Sequence, residues 1–180
     1  MKLHFYYLIV VLFTFHFSNA QNLNIESIKT ASMEYKGTLT AFQFEVFKNF
    51  IVATNKLEIN NENSYIINYN QNKNDCFHDK IENESAVKNW IKSYVYKNIK
   101  LNENTLNLFY QREKAYENSH RDIKYDLEGF INDNFINGLL CFSLVIINSK
   151  GEYRMHIEPG HSNNQIKIVN RFLEELKINN

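Results

Sequence analysis

The chain has 180 residues, with 20 Lys and Arg against 20 Asp and Glu, so its formal net charge at pH 7 is zero. Charges of both signs are interspersed, which argues against nucleic acid or an anionic membrane surface as a partner, because both are bound through a basic surface. Aromatic residues make up 14% of the chain. This content predicts a folded protein rather than a disordered one.

Residues 1–20 have the three-part order of a cleavable secretory signal peptide. Lys2 supplies the positive start, residues 3–17 are mostly apolar, and Ser18 and Ala20 place small residues before the cleavage point. The apolar run is shorter than the about 20 residues of a transmembrane helix, which disfavours an uncleaved anchor. We expect export to a periplasm or the extracellular space, with no stable membrane span after cleavage.

The remaining residues, 21–180, predict a single domain. No linker rich in proline or glycine divides them, and the only proline is Pro159. The order of the expected elements indicates the α+β class, with an antiparallel sheet and several helices packed on one face. The domain is expected to end in the order strand, hairpin, strand, helix.

The first half of the domain is expected to supply strands. Residues 23–35 predict an irregular first strand. Residues 42–47 alternate apolar and polar side chains as in a half-buried strand, although a helix over residues 40–52 accommodates the same pattern. Residues 56–59 and 65–69 flank an Asn-rich segment and predict a β-hairpin.

Three helices are expected in the middle of the chain. The clearest begins after Asn83 and repeats apolar residues at helical spacing (Ala86, Val87, Trp90, Ile91, Tyr94 and Val95). A second helix is predicted from Thr105 to Asn118. A third is expected to begin at Asp122 and to stop at Gly138.

The last fifty residues give the sharpest pattern. Residues 140–147 predict a buried strand, Asn148–Gly151 a turn, and residues 152–158 a second strand with one apolar face formed by Tyr153, Met155 and Ile157. Pro159 and Gly160 end that strand. A closing helix is expected to begin at Asn163 or Asn164.

This C-terminal order resembles the periplasmic C-terminal domain of TonB-type energy transducers, in which a helix, a hairpin with an Asp/Asn-x-x-Gly turn and another helix follow one another. Residues 126–135, 139–158 and 165–177 correspond to these three parts. The family's proline before the first strand, its proline-and-tryptophan segment after the last helix and its proline-rich spacer have no counterpart here. The resemblance therefore implies a stand-alone secreted relative that contacts another protein.

Two sets of residues are candidates for chemistry. His156, Glu158 and His161 offer two imidazoles and a carboxylate, a ligand set suited to zinc or a non-haem metal. The alternative, which we favour, is a solvated strand face followed by a polar loop. Cys76 and Cys141 form an even pair in an oxidising compartment and predict either a disulfide or two separate buried thiols.

No catalytic motif accompanies these residues. We therefore expect a non-enzymatic protein-interaction module without a cofactor, whose partner is another exported or envelope protein. One alternative is a small-ligand-binding α+β cone or barrel with a pocket lined by Phe and Tyr. Another is a metal-dependent hydrolase that uses His156, Glu158 and His161.

Overall fold

The computed structural model describes residues 32–70, 99, 101–112, 123–136, 142–158 and 165–178. Their strands are β1 (Met33–Thr38), β2 (Ser64–Asn70), β3 (Thr105–Gln111), β4 (Ile123–Tyr125), β5 (Phe142–Ile147) and β6 (Glu152–Glu158). These strands form one sheet in the order β1-β6-β5-β2-β3-β4. The prediction of a single α+β domain is confirmed.

The sheet combines two pairing modes. The neighbours β1 and β6, β6 and β5, and β5 and β2 are antiparallel. The pairs β2 with β3 and β3 with β4 are parallel. A parallel pair requires a crossover of a dozen or more residues, and the segment between β2 and β3 is long enough to supply one. The sheet is therefore mixed. The prediction of an antiparallel sheet is right for three of the five described strand pairs and wrong for the two parallel ones.

Two helices cover opposite faces of the sheet: α1 (Ala41–Asn55) and α2 (Gln165–Glu175). Phe47 and Ile51 of α1 belong to one apolar cluster, whereas Val169, Phe172 and Leu173 of α2 belong to another. Alternate residues of β5 enter the two clusters, since successive strand side chains point to opposite faces. The expectation that the helices share one face is wrong.

Aromatic side chains fill the core beneath α1. The Phe47 ring meets the Tyr65 ring edge to face with centroids 5.0 Å apart, and Phe50 stacks on Phe130 at 4.4 Å. The Tyr110 hydroxyl bonds Thr54 Oγ1 at 2.7 Å, and its burial raises the pKa of Tyr110 to about 12. These aromatic residues therefore pack on one another and on α1 in the core.

Helix α1 replaces the strand predicted over residues 42–47, and the rival helix is confirmed. A capping box starts it: Gln43 N–H donates to Thr40 Oγ1 at 3.2 Å, and Thr40 N–H donates to Gln43 Oε1 at 2.8 Å. Lys56, in the left-handed conformation at φ 55°, ends the helix. The period-two pattern was misleading because α1 carries apolar residues on most of its circumference.

The hairpin predicted between residues 56–59 and 65–69 is also wrong. Residues 56–60 are not in a strand, and β2 pairs with β3 and β5 instead. The intervening asparagines fix a loop: Asn60 N–H donates to Asn63 Oδ1 at 2.6 Å, and Asn63 Nδ2 donates to Asn104 O at 3.2 Å. Their role is to hold two loops together at one end of the sheet.

The second predicted helix is wrong as well, because residues 105–111 form β3. Leu108 and Tyr110 pack beneath α1, whereas Phe109 faces the α2 side. A strand that is apolar on both faces lacks the alternation that distinguishes it from a helix. The predicted amphipathic helix over residues 83–95 lies outside the described residues.

The third predicted helix is shorter and starts later than expected. Tyr125 belongs to β4, and the helical part consists of a 3₁₀ turn at Leu127–Gly129 and a π-helical turn at Asn132–Ile136. Asp122, the predicted cap, lies outside the described residues. The carboxylate of Asp126 binds the amides of this segment instead.

The C-terminal elements agree with prediction. Strand β5, the turn at residues 148–151, strand β6 and helix α2 follow in the expected order. Asn148 Oδ1 accepts hydrogen bonds from the amides of Lys150 and Glu152, both at 3.0 Å, and Asn148 Nδ2 donates to Leu176 O at 3.2 Å. The turn is thus bonded to the end of α2. None of the helices in the described ranges has the length and apolar character to cross a membrane.

Asp126 is a carboxylate in the protein interior, with 1% of its surface exposed. It accepts hydrogen bonds from Tyr69 Oη at 3.0 Å, from Ile131 N–H at 2.8 Å and from Asn132 N–H at 2.9 Å. Burial raises the pKa of Asp126, and the three donors oppose that rise only in part. Burial also raises the pKa of the Tyr69 hydroxyl.

This raised pKa predicts a pH dependence of stability. The folded state binds the Asp126 proton more tightly than the unfolded chain does. Protonation of Asp126 therefore stabilises the fold fully when the pH is below the pKa of Asp126 in the unfolded chain. This stabilisation is lost as the pH rises through the higher pKa of Asp126 in the folded state. Relative to the non-titrating Asp126→Asn variant, we expect the wild-type free energy of unfolding to fall as pH rises from about 4 towards 7. Urea titrations across this range measure it, and parallel pH profiles would contradict it.

Candidate functional site

A cluster of charged side chains occupies the place where β1, β6 and α2 meet. The sheet register sets Glu34 of β1 directly beside His156 of β6. Residues 34, 156 and 158 point to the face that α2 covers, because the alternate residues Met33, Met155 and Ile157 enter the opposite cluster. The predicted site residues His156 and Glu158 therefore lie beneath α2.

The imidazole of His156 lies between two carboxylates. Its Nε2 is 3.3 Å from Glu158 Oε2, and its Nδ1 is 3.4 Å from Glu34 Oε1. His156 and Glu158 are 5% and 4% exposed. The Nδ1 contact lies within ion-pair distance but lacks hydrogen-bond geometry, so Nδ1 is a buried atom without a hydrogen-bond partner. This contact is therefore a close approach and not a hydrogen bond.

Helix α2 adds a row of charges above this imidazole. Arg171 pairs with Glu34, and Glu175 accepts from Arg154 Nε at 2.6 Å. Arg171 Nε and Glu175 Oε1 are 4.0 Å apart. The four side chains thus alternate in sign across β1, α2 and β6. Being partly exposed, they contribute modestly to stability and chiefly fix how α2 sits on the sheet edge.

A cavity of about 420 Å³ opens beside this cluster. It is lined by Ser32, Glu34, His156, Glu158, Lys167, Ile168 and Arg171. A second cavity, of about 540 Å³, lies at the end of the sheet that carries the 148–151 turn, and polar side chains line most of it. No Phe or Tyr lines either cavity, in contrast to the aromatic pocket that the ligand-binding alternative requires.

The predicted metal ligands are only partly brought together. His156 and Glu158 are in contact, whereas His161 lies outside the described residues. Glu34 and Glu158 approach different nitrogens of the ring, so the described carboxylates do not converge on one coordination point with His156. Over the described ranges, no group of three or more His, Cys, Asp or Glu side chains is arranged to hold a metal ion. A site that includes His161 stays a prediction.

Two residues of the cluster, Glu34 and Arg171, were missed by sequence reasoning. Each looks like an ordinary charge on a solvated face. The register of β1 on β6 brings Glu34 to His156, and the packing of α2 brings Arg171 to Glu34. Cys76 and Cys141 both lie outside the described residues. Their disulfide stays a prediction.

Strand β1 forms one end of the sheet, and β6 is its only neighbour among the described strands. Leu39 N–H donates to Gly151 O at 2.9 Å, in continuation of the β1–β6 register. In an antiparallel pair the bonded residues alternate, so Met33, Tyr35 and Gly37 bond to β6. The amides and carbonyls of Glu34, Lys36 and Thr38 point away from the sheet.

The exposed apolar side chains of the described residues include Phe42 and Leu127, each 58% exposed, and Val52 and Leu57, each 38% exposed. Three of them belong to α1 or to the segment just after it. Phe42 stands in the first turn of α1, four residues beyond Thr38, the last residue of β1. Along the chain, an exposed aromatic side chain therefore follows closely after β1.

No protein-family model, curated protein or solved structure matches this chain. The TonB-type resemblance of the C-terminal third therefore stays a prediction.

The two carboxylates that flank His156 differ in burial, which gives a matched pair of variants. Glu158→Ala leaves a buried imidazole nitrogen without its partner, and we expect a loss of about 1–3 kcal/mol in the free energy of unfolding. Glu34→Ala removes a partly exposed partner of Arg171, and we expect a loss of at most about 1 kcal/mol. Urea unfolding at pH 7 measures both, and equal losses would contradict the assignment of Glu158 as the buried partner.

Proposed function

We propose that this protein is an exported, non-enzymatic interaction module that binds another protein by adding a strand to the outer edge of β1. The observation that carries the proposal is the orientation of the β1 backbone. Every second residue of β1 directs its backbone amide and carbonyl away from β6, and these residues are Glu34, Lys36 and Thr38. An extended peptide segment along such an edge forms main-chain hydrogen bonds that depend little on the sequence of that segment.

The surroundings of this edge support the proposal. The Arg171–Glu34 pair connects β1 to α2 and holds the strand in place on the sheet. Gly37 lies beneath the ring of Tyr153, whose atoms would be 2.7–2.8 Å from a Cβ at position 37. The aromatic ring thereby protects a glycine that would otherwise loosen the edge. Both contacts favour the extended conformation of β1 that strand addition requires.

The predicted signal peptide supports the exported location, and the linings of the two cavities favour protein binding over the ligand-binding alternative. The predicted signal peptide over residues 1–20 supports export of the mature protein from the cytoplasm. The cavities beside His156 and at the 148–151 turn offer polar linings rather than the aromatic pocket of the ligand-binding alternative. The TonB-type resemblance, as a relative that contacts another protein, is compatible with strand addition.

Photocrosslinking in the native host tests the binding surface. A benzophenone amino acid at Thr38, beside the outer edge, is expected to give an adduct with one protein of the exported fraction. Lys36→Pro should abolish this adduct, because the proline removes an outward N–H while it leaves the β1–β6 bonds intact. Lys36→Ala keeps the N–H and should retain the adduct. The mass of the adduct, from tandem mass spectrometry, identifies the partner.

The same label at Glu174, an exposed position on α2, is the positional control. Equal adducts from Thr38 and Glu174, or an adduct that survives Lys36→Pro in a folded protein, would overturn strand addition. The export part is tested separately by N-terminal sequencing of the protein recovered outside the cytoplasm. The expected first residue is Gln21, and an N-terminus that retains residues 1–20 would contradict cleavage.

A further inference from the structure

We propose that the β1 edge takes a second copy of this chain, so that two copies join their sheets through antiparallel β1 strands related by a two-fold axis at Tyr35. This inference rests on the proposed function, because it names the partner of the same edge. Three observations on β1 lead to it: the direction of its backbone groups, the order of its charges and the apolar side chains on its other face.

The backbone restricts which residues meet. Within β1, the backbone groups of Glu34, Lys36 and Thr38 face the outer side, so a second β1 must place its own even-numbered residues opposite them. With a two-fold axis, three registers satisfy this condition near the middle of the strand. They are centred on Glu34, on Tyr35 and on Lys36.

Charge selects one of these three registers. A centre at Tyr35 sets Glu34 opposite Lys36 of the second copy, and the symmetry repeats the pair. A centre at Lys36 sets two lysines directly opposite each other, and a centre at Glu34 does the same with two glutamates. Opposite charges across a strand pair are stabilising and like charges are destabilising, so the Tyr35 register is preferred.

The other face of β1 fits the same register. Tyr35 lies opposite Tyr35 of the second copy at a non-hydrogen-bonded position, where side chains come closest and aromatic pairs are favourable. Met33 lies opposite Gly37, which the ring of Tyr153 covers, so the Met33 side chain meets an aromatic ring. Each of these side chains is half-buried in the single copy, and the pairing covers surface that is still exposed.

The charged cluster beneath α2 prepares Glu34 for this pairing. Arg171 holds Glu34 on the face of the sheet that α2 covers, and 43% of the Glu34 side chain remains exposed. Lys36 lies on the same face, is exposed, and has the opposite charge. A two-fold axis perpendicular to the sheet keeps that face common to both copies, so the two charge pairs form on one side of a continuous sheet.

Sedimentation velocity on the purified exported protein tests the proposal, over about 1 μM to about 1 mM because a short edge gives a weak interface. We expect the average mass to rise from one chain towards two as concentration increases. Lys36→Glu places two glutamate pairs across the axis and should weaken association about tenfold or more. Lys36→Arg keeps the charge and should associate like the wild type, and circular dichroism verifies that both variants are folded.

Amide exchange followed by NMR reports on the register directly. The amides of Glu34, Lys36 and Thr38 should gain protection with concentration, whereas those of Tyr35 and Gly37, already bonded to β6, should change little. A protein that remains monomeric throughout the range, or a dimer that is indifferent to both Lys36→Glu and Lys36→Pro, would overturn the proposal. If the protein is monomeric while the Thr38 crosslink to another protein is lost in Lys36→Pro, the second copy is excluded and the proposed function stands.

Discussion

The burial of the central strands on both faces is the constraint on which the rest of this structure depends. All six residues of β5 are buried, with Leu144 and Ile146 in the cluster beneath α2 and Val145 and Ile147 in the cluster beneath α1. A sheet that is apolar on both sides requires a covering layer on each side, since exposed apolar area costs roughly 25 cal/mol per Å². This requirement explains why α1 and α2 lie on opposite faces of the sheet. On its own face, α2 also contacts β1 and β6 through its charged side chains.

The same constraint explains which elements were predictable from the sequence. The C-terminal hairpin was predicted correctly because Asn148 and Gly151 mark its turn and β6 keeps a clear alternation. Helix α1 carries apolar residues around most of its circumference and β3 carries them on both faces, so periodicity does not distinguish strand from helix in either element. A local signal existed only for α1, where Thr40 and Gln43 form a capping box that the alternation over residues 42–47 obscured.

The candidate site was predictable only in part, for a different reason. His156 and Glu158 lie two residues apart on one strand, so their proximity follows from strand geometry alone. Glu34 and Arg171 reach them through pairing between distant parts of the chain, and no local pattern encodes that register. The outward direction of the Lys36 amide has the same origin. It is set by the β1–β6 register, which the Leu39–Gly151 hydrogen bond continues and which the sequence does not reveal.

The pairing of Met33 with Ile157 joins the start of the described chain to its last strand, whereas β5 and β6 are neighbours in sequence. Closing so long a loop costs more entropy than closing a hairpin, so β1 is expected to add to the sheet after the β5–β6 hairpin has formed. An outer strand with one neighbour is also expected to open at lower free energy than the central strands. Strand β1 would then separate from β6 and pair with it again while the central strands stay folded. A partner bound to the outer edge of β1 would also stabilise the pairing of β1 with β6.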